Sequence, residues 1–279
     1  MSNWIEVKAI LEYEPDDWAV LHEVFDRHGI PGTLQTDKPP TLSGYLVEGS
    51  GDTLAALTEE LKQFGATDVE TRIVPDEDWA ESWKQFFKPR RIGKRFVVRP
   101  TWEAFELAPE DLEIVLDPGQ AFGTGDHPTT RMCLELMERI DFADKRVADI
   151  GCGSGILSVG AKRLGAASVS AVDVDPLSVE ASQENAARNT VDFEATEGTG
   201  FLPLDPASKF DIVLSNIISA ALIPLAPEVR KRLNQGGTWV VSGIIEANWC
   251  DVHKAAVTSG FDLVEVVREG DWVAATLRR

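Results

Sequence analysis

Three glycines and an acidic residue supply the first chemical signal in the chain. Gly151, Gly153 and Gly155 stand two residues apart in the run ADIGCGSGILSVGAKRLGAASVSAVDVD, with Asp149 just before them. At this spacing a backbone can turn sharply and approach a ligand where a Cβ would collide. Asp173 follows Gly155 by 18 residues, close to the roughly 20 at which a carboxylate meets ribose hydroxyls in a nucleotide-binding half. A dinucleotide fingerprint would need glycine at 156, and Ile156 stands there. A glycine turn that merely packs a βα unit would not require the acid at that distance.

The elements that must position these residues can be read around them. The apolar run ending at Ile150 suits a buried parallel strand. Ile156 to Leu164 has helical spacing, with Gly165 as its C-terminal cap, and Val169 to Val172 is a second strand leading to Asp173. A further unusual stretch is EIVLDPGQAFGTGDHPTT, Glu113 to Thr130. A strand over Ile114–Leu116 runs into a loop with Gly119, Gly123 and Gly125, and a helix begins near Pro128. The loop lacks a P-loop lysine, which argues against a nucleotide triphosphatase. Asp126, His127 and Cys133 have the residue types of a cysteine hydrolase, but Cys133 falls on the apolar face of that helix.

Composition bounds the rest. The 279 residues suffice for two domains with separate cores. No apolar run approaches the roughly 18 residues of a membrane span, and MSNWIEVKAI is no secretory signal, so the cytosol is the expected compartment. Three scattered cysteines and four histidines support neither a disulfide framework nor a metal site. The net charge of −19 disfavours a nucleic-acid partner and attracts basic ones.

Residues 1–74 read as a small βαββαβ unit of ferredoxin-like type, with 5 basic and 14 acidic side chains. Residues 75–100 read as a linker. Its basic run Lys84 to Arg99, interleaved with Phe86, Phe87 and Phe96, could meet nucleic acid or dock on acidic lobes. Residues 101–279 complete a doubly wound α/β sheet, closing in a hairpin around Gly270–Asp271. Gly151, Asp173 and Asn216 would all lie at the carboxyl ends of its strands, where such sheets bind ligands.

The G-x-G-x-G turn with Asp149 and Asp173 resembles motif I and the ribose-binding acid of class I S-adenosylmethionine-dependent methyltransferases. DPGQAFGTGDHPTT, the upstream EDWAESWKQFFKPRRIGKRFVVRPTWE and SNIISAALIPL at Ser215–Leu225 together resemble the ribosomal protein L11 methyltransferases of the PrmA type. The resemblance spans nearly the whole chain in order. Asp126 and Ser215 depart from it, at positions where threonine and alanine are expected. It implies a Rossmann-like seven-stranded, mostly parallel sheet preceded by a substrate-recognition domain. It further implies S-adenosyl-L-methionine as cofactor, held by Thr130, Gly151, Gly153, Gly155, Asp173 and Asn216, and ribosomal protein L11 as partner.

Methyl transfer to an amine needs the nitrogen neutral and aligned. Deprotonating a free lysine at pH 7 costs about 4.6 kcal/mol, an α-amino group only about 1.4. An acidic surface favours the ammonium form, so the pocket itself must align the amine. Asn216 suits this, because a neutral amide oxygen accepts an N–H without holding charge; a cofactor contact or a turn cap is its other reading. Two functions stay open beside methylation of L11: transfer to another protein or a small amine, and a non-catalytic ribosome-associated binder.

Overall fold

The computed structural model describes residues 4–279 except 14, 16, 17, 31, 38, 48, 75–86, 118–124 and 126. The chain forms two compact units, Met1–Phe86 and Phe87–Arg279. In the first, β1 (Trp4–Ile10), α1 (Ala19–Arg27), β2 (Thr33–Asp37), β3 (Pro40–Val47), α2 (Gly51–Gln63) and β4 (Asp68–Val74) follow in the expected order. The strands pair antiparallel as β2-β3-β1-β4, the ferredoxin-like arrangement. Alternation along β1 and β3 turns Val7, Ala9, Leu42 and Leu46 to one face, where Phe25 of α1 and Leu57 and Leu61 of α2 cover them. Asp16 and Asp17, expected ahead of α1, lie outside the described residues.

The second unit opens with a three-stranded sheet, β5 (Arg90–Ile92), β6 (Phe96–Arg99) and β7 (Leu112–Val115). The segment read as a linker is therefore divided. Residues 75–86, with Lys84 and Phe86, lie outside the described residues, and the rest builds this sheet because Phe96, Val97 and Val98 are all buried. Its cations meet the acidic segment that follows. Lys88 Nζ reaches Glu103 at 2.5 Å, Arg91 grips both oxygens of Asp111 at 2.5 and 2.7 Å, and Arg99 Nε donates to Glu113 at 2.6 Å. These three charges are paired inside the unit.

The main sheet holds β8 (Arg146–Ile150), β9 (Ser168–Asp173), β10 (Glu194–Glu197), β11 (Phe210–Asn216), β12 (Leu233–Ile245), β13 (Asp262–Glu269) and β14 (Trp272–Arg278). Their order is β10-β9-β8-β11-β12-β14-β13; β14 runs antiparallel to both its neighbours, and the other pairs are parallel. Helices α3 (Pro128–Met137), α4 (Ile156–Arg163), α5 (Pro176–Arg188), α6 (Ser219–Arg232) and α7 (Trp249–Thr258) accompany it. Both faces are apolar: Val147, Ile212, Leu214 and Val240 join one core with α3 and α4, while Ala148, Val213, Trp239 and Val241 join another with α6 and α7. Helix α6 starts at Ser219, three residues before the expected Leu222, and β12 is longer than the expected Trp239–Ser242. Strand order reverses between β8 and β11, and there the sheet opens a crevice at its carboxyl edge.

Candidate active site

The turn after β8 is held by hydrogen bonds from two neighbouring elements. Gly153 N–H donates to Asp173 Oδ2 at 2.8 Å, while Asp173 Oδ1 accepts from Asp175 N–H at 3.1 Å. Ser182 of α5 donates its hydroxyl to the Gly153 carbonyl at 2.8 Å, and Asn185 donates to the Ser154 carbonyl at 2.9 Å. Asp173 thus shapes the glycine turn as well as facing the cleft. Gly155 has a different task. It lies at φ +76°, and a Cβ there would come within 2.8 Å of Ser182 Oγ, so it brings α4 and α5 together rather than lining the cleft.

The pleat decides where the end of β11 points. Asn216 is in phase with Ile212 and Leu214, which face the α3 side, and its Nδ2 donates to Thr130 Oγ1 at 3.2 Å. Its Oδ1 is buried and accepts no hydrogen bond among the described residues. Thr130 is fully buried behind it. Asp149 shares this side of the sheet and is also fully buried, with Oδ2 accepting from Ser158 Oγ at 2.6 Å and Oδ1 accepting no hydrogen bond among the described residues. Desolvation, with the Asp173 charge nearby, pushes its carboxyl up to about 7.

These elements border a cleft of about 700 Å³, large enough for a nucleoside-bearing ligand. Gly151, Gly153, Asp173, Ser178 and Asn216 line it with Thr199 and Glu228, and Ile150, Val172, Ile217 and Leu225 give it an apolar wall. Exposed Val174 and Leu202 also border it, at 64% and 79% accessibility. Both were missed from sequence, because an isolated exposed aliphatic residue carries no pattern.

The glycine-rich segment before α3 is described only at Asp117, Gly125 and His127 onward; Gly119, Gly123 and Asp126 lie outside the described residues. Its start is anchored by Thr101, whose N–H and hydroxyl donate to Asp117 at 2.7 and 3.0 Å. Asn189 holds β7 by its side chain, accepting from Val115 N–H at 2.8 Å and donating to Val115 O at 2.7 Å. At the far end His127 caps α3 and sets its ring edge against Trp272, with centroids 4.6 Å apart. Its Nδ1 lies 2.7 Å from Thr129 Oγ1, and burial holds the ring below the usual imidazole range. Cys133 is fully buried with its thiol pushed up to about 12, which removes the hydrolase reading.

A family model described as ribosomal protein L11 methyltransferase (PrmA) matches residues 22–279. The chain belongs to the ribosomal protein L11 methyltransferase family. A member from Herpetosiphon aurantiacus is 40% identical over 99% of both chains. Another, from Symbiobacterium thermophilum, is 41% identical over 86% of this chain and 83% of its own. The crystal structure of ribosomal protein L11 methylase from Lactobacillus delbrueckii subsp. bulgaricus is 32% identical, with a TM-score of 0.65. It covers 69% of this chain and 99% of its own.

The methyl donor of the family fold is S-adenosylmethionine, and the cleft fits it. The Asp173 carboxylate lines the cleft as a hydrogen-bond acceptor, the Gly151 and Gly153 backbone borders it beside that carboxylate, and the buried Asn216 Oδ1 accepts no hydrogen bond among the described residues. Ser215, where the family resemblance leads one to expect alanine, accepts the indole N–H of fully buried Trp239 at 3.2 Å. Its hydroxyl satisfies a core donor on the face away from Asn216. Asp173→Ala is expected to weaken cofactor binding by about 1.5–3 kcal/mol, the scale of a hydrogen bond to a charged group. The upper end is favoured because Gly153 N–H also loses its acceptor. Calorimetric titration of the folded variant checks this, and an unchanged affinity would remove Asp173 from the ribose site.

Proposed function

We propose that this methyltransferase modifies amino groups of ribosomal protein L11, lysine side chains or the N-terminal α-amine, with Asn216 orienting the acceptor. The observation that carries the mechanism is the state of the Asn216 amide: Nδ2 donates to Thr130 Oγ1, and the buried Oδ1 accepts no hydrogen bond among the described residues. The cofactor supplies a methyl group on a sulfonium. An amine N–H donated to Oδ1 turns the nitrogen lone pair toward that methyl, and alignment of this kind lowers the barrier without a strong base. The amine nitrogen would take up the methyl with the cofactor sulfur as leaving group, and the amine proton would pass to water. Two family relatives bear the name ribosomal protein L11 methyltransferase, which supports this acceptor. Among the described residues no helix is long and apolar enough to cross a membrane.

In this reading the acidic unit Met1–Phe86 recognises the basic substrate. The chain shortened to Phe87–Arg279 is expected to bind cofactor like the full chain and to transfer methyl to L11 poorly. The test is transfer of labelled methyl from S-adenosylmethionine to purified L11, against L11 with its lysines replaced or its N-terminus blocked. Label on another protein or on small amines only would overturn the substrate, and equal turnover by the shortened chain would overturn the recognition role. Asn216→Ala should lower single-turnover transfer without moving its pH inflection, since a neutral amide does not titrate. Asn216→Asp should raise the inflection, because a nearby negative charge favours ammonium.

A further inference from the structure

Gly243 lies where β12 slips register against β14, between the pairs Val241–Ala275 and Ile244–Val273, with φ at +81°. A Cβ at this position would stand 2.4 Å from the carbonyl oxygen of Ile217, 2.7 Å from its carbonyl carbon and 3.0 Å from its nitrogen. Those are backbone atoms, and no rotamer change removes them. Ile217 N–H also donates to Ser242 O at 3.1 Å, so the peptide after Asn216 is seated on the bulge. The Ile217 side chain meets a second glycine. A Cβ on Gly151, in the cofactor turn, would stand 2.1 Å from Ile217 Cγ2.

We infer that Gly243 is a positioning residue, whose missing side chain lets Ile217 sit between the bulge and the cofactor turn and thereby sets Asn216 against the donor. Bulges beside active sites serve to re-aim a side chain, and here the re-aimed segment belongs to the adjacent strand. Its effect on transfer rests on the proposed role of Asn216; its effect on the cofactor turn does not. A methyl at 243 would push the Ile217 backbone off the bulge. The displacement reaches Asn216 directly and Gly151 through the Ile217 side chain.

The control is Gly236, on the same strand at φ +76°, where a Cβ would meet nothing within 4 Å among the described residues beyond its chain neighbours. Gly236→Ala carries the same backbone strain without the collision, so it should lower the melting temperature and leave binding and transfer unchanged. Gly243→Ala should weaken cofactor binding measured by calorimetry and lower kcat roughly hundredfold, as expected for misplacement by about 1 Å. Adding Ile217→Ala should return cofactor affinity to that of Ile217→Ala alone while kcat stays low, because Asn216 remains displaced. The inference is overturned if Gly243→Ala binds and transfers like Gly236→Ala, or if Ile217→Ala restores no affinity. Should Gly243→Ala fail to fold, Gly151→Ala with and without Ile217→Ala decides: a Cβ on Gly151 would stand 2.1 Å from Ile217 Cγ2, so Ile217→Ala must restore cofactor affinity in that background, and no restoration overturns the inference. Unimpaired transfer by Asn216→Ala would remove only the role of Asn216, leaving the binding measurements to judge Gly243.

Discussion

Gly155→Ala should destabilise the cofactor-binding unit by about 2–5 kcal/mol, combining left-handed backbone strain with overpacking. Gly155 holds φ +76°, and an added Cβ meets Ser182 Oγ at 2.8 Å and Ser182 Cα at 3.1 Å. The hydroxyl could rotate, but the Cα moves only with α5. Ser182 is fully buried and its Oγ already donates to the Gly153 carbonyl, so relief on one side breaks the turn on the other. Gly165→Ala is the comparison, at φ +100° with its nearest neighbour 3.6 Å away, where backbone strain acts alone. Urea titrations of the two variants check this. A Gly155→Ala midpoint no lower than that of Gly165→Ala would mean that the α4–α5 contact yields freely.

The second large effect is a loss of stability with rising pH, carried by Asp149. The folded carboxyl is raised to about 7 from an ordinary value of 3.8, so the native state holds a proton that the unfolded chain has released. Stability from this group is complete below about pH 4, is lost as pH rises to about 7, and stays lost above. At 1.36 kcal/mol per unit the change is about 4 kcal/mol. Asp149→Asn cannot titrate, so the variant should lack this component of the slope. Unfolding free energies at pH 5 and pH 7.5 for both proteins isolate it, and parallel curves would refute it.

Much of the architecture was legible because period and punctuation agree. The βαββαβ order of the first unit, the strand–turn–helix around Gly151 and the final hairpin at Gly270–Asp271 all follow from apolar spacing bounded by glycine or proline. Strand β10 was missed since EATE buries only Ala195 and has no apolar pattern. Strands β5 and β6 were hidden by their charges: Arg91 and Arg99 are cations in a strand, tolerated because Asp111 and Glu113 neutralise them. The placement of Thr130 behind Asn216, rather than beside the cleft, needed the packing of α3 on the sheet.

The polar edge of the cleft was legible from the chain alone as a glycine turn, an acid one strand away and a terminal Asn on the next strand, because these features are local and their spacing is measured along the chain. The tertiary structure alone decided how they are held. Asn189 reaching Val115, Ser182 under Gly155 and Ile217 between Gly151 and Gly243 join residues tens of positions apart. Each depends on strand register and on how closely two backbones pass. A glycine in the sequence says only that a side chain is missing; which backbone fills the space is settled when the strands pair.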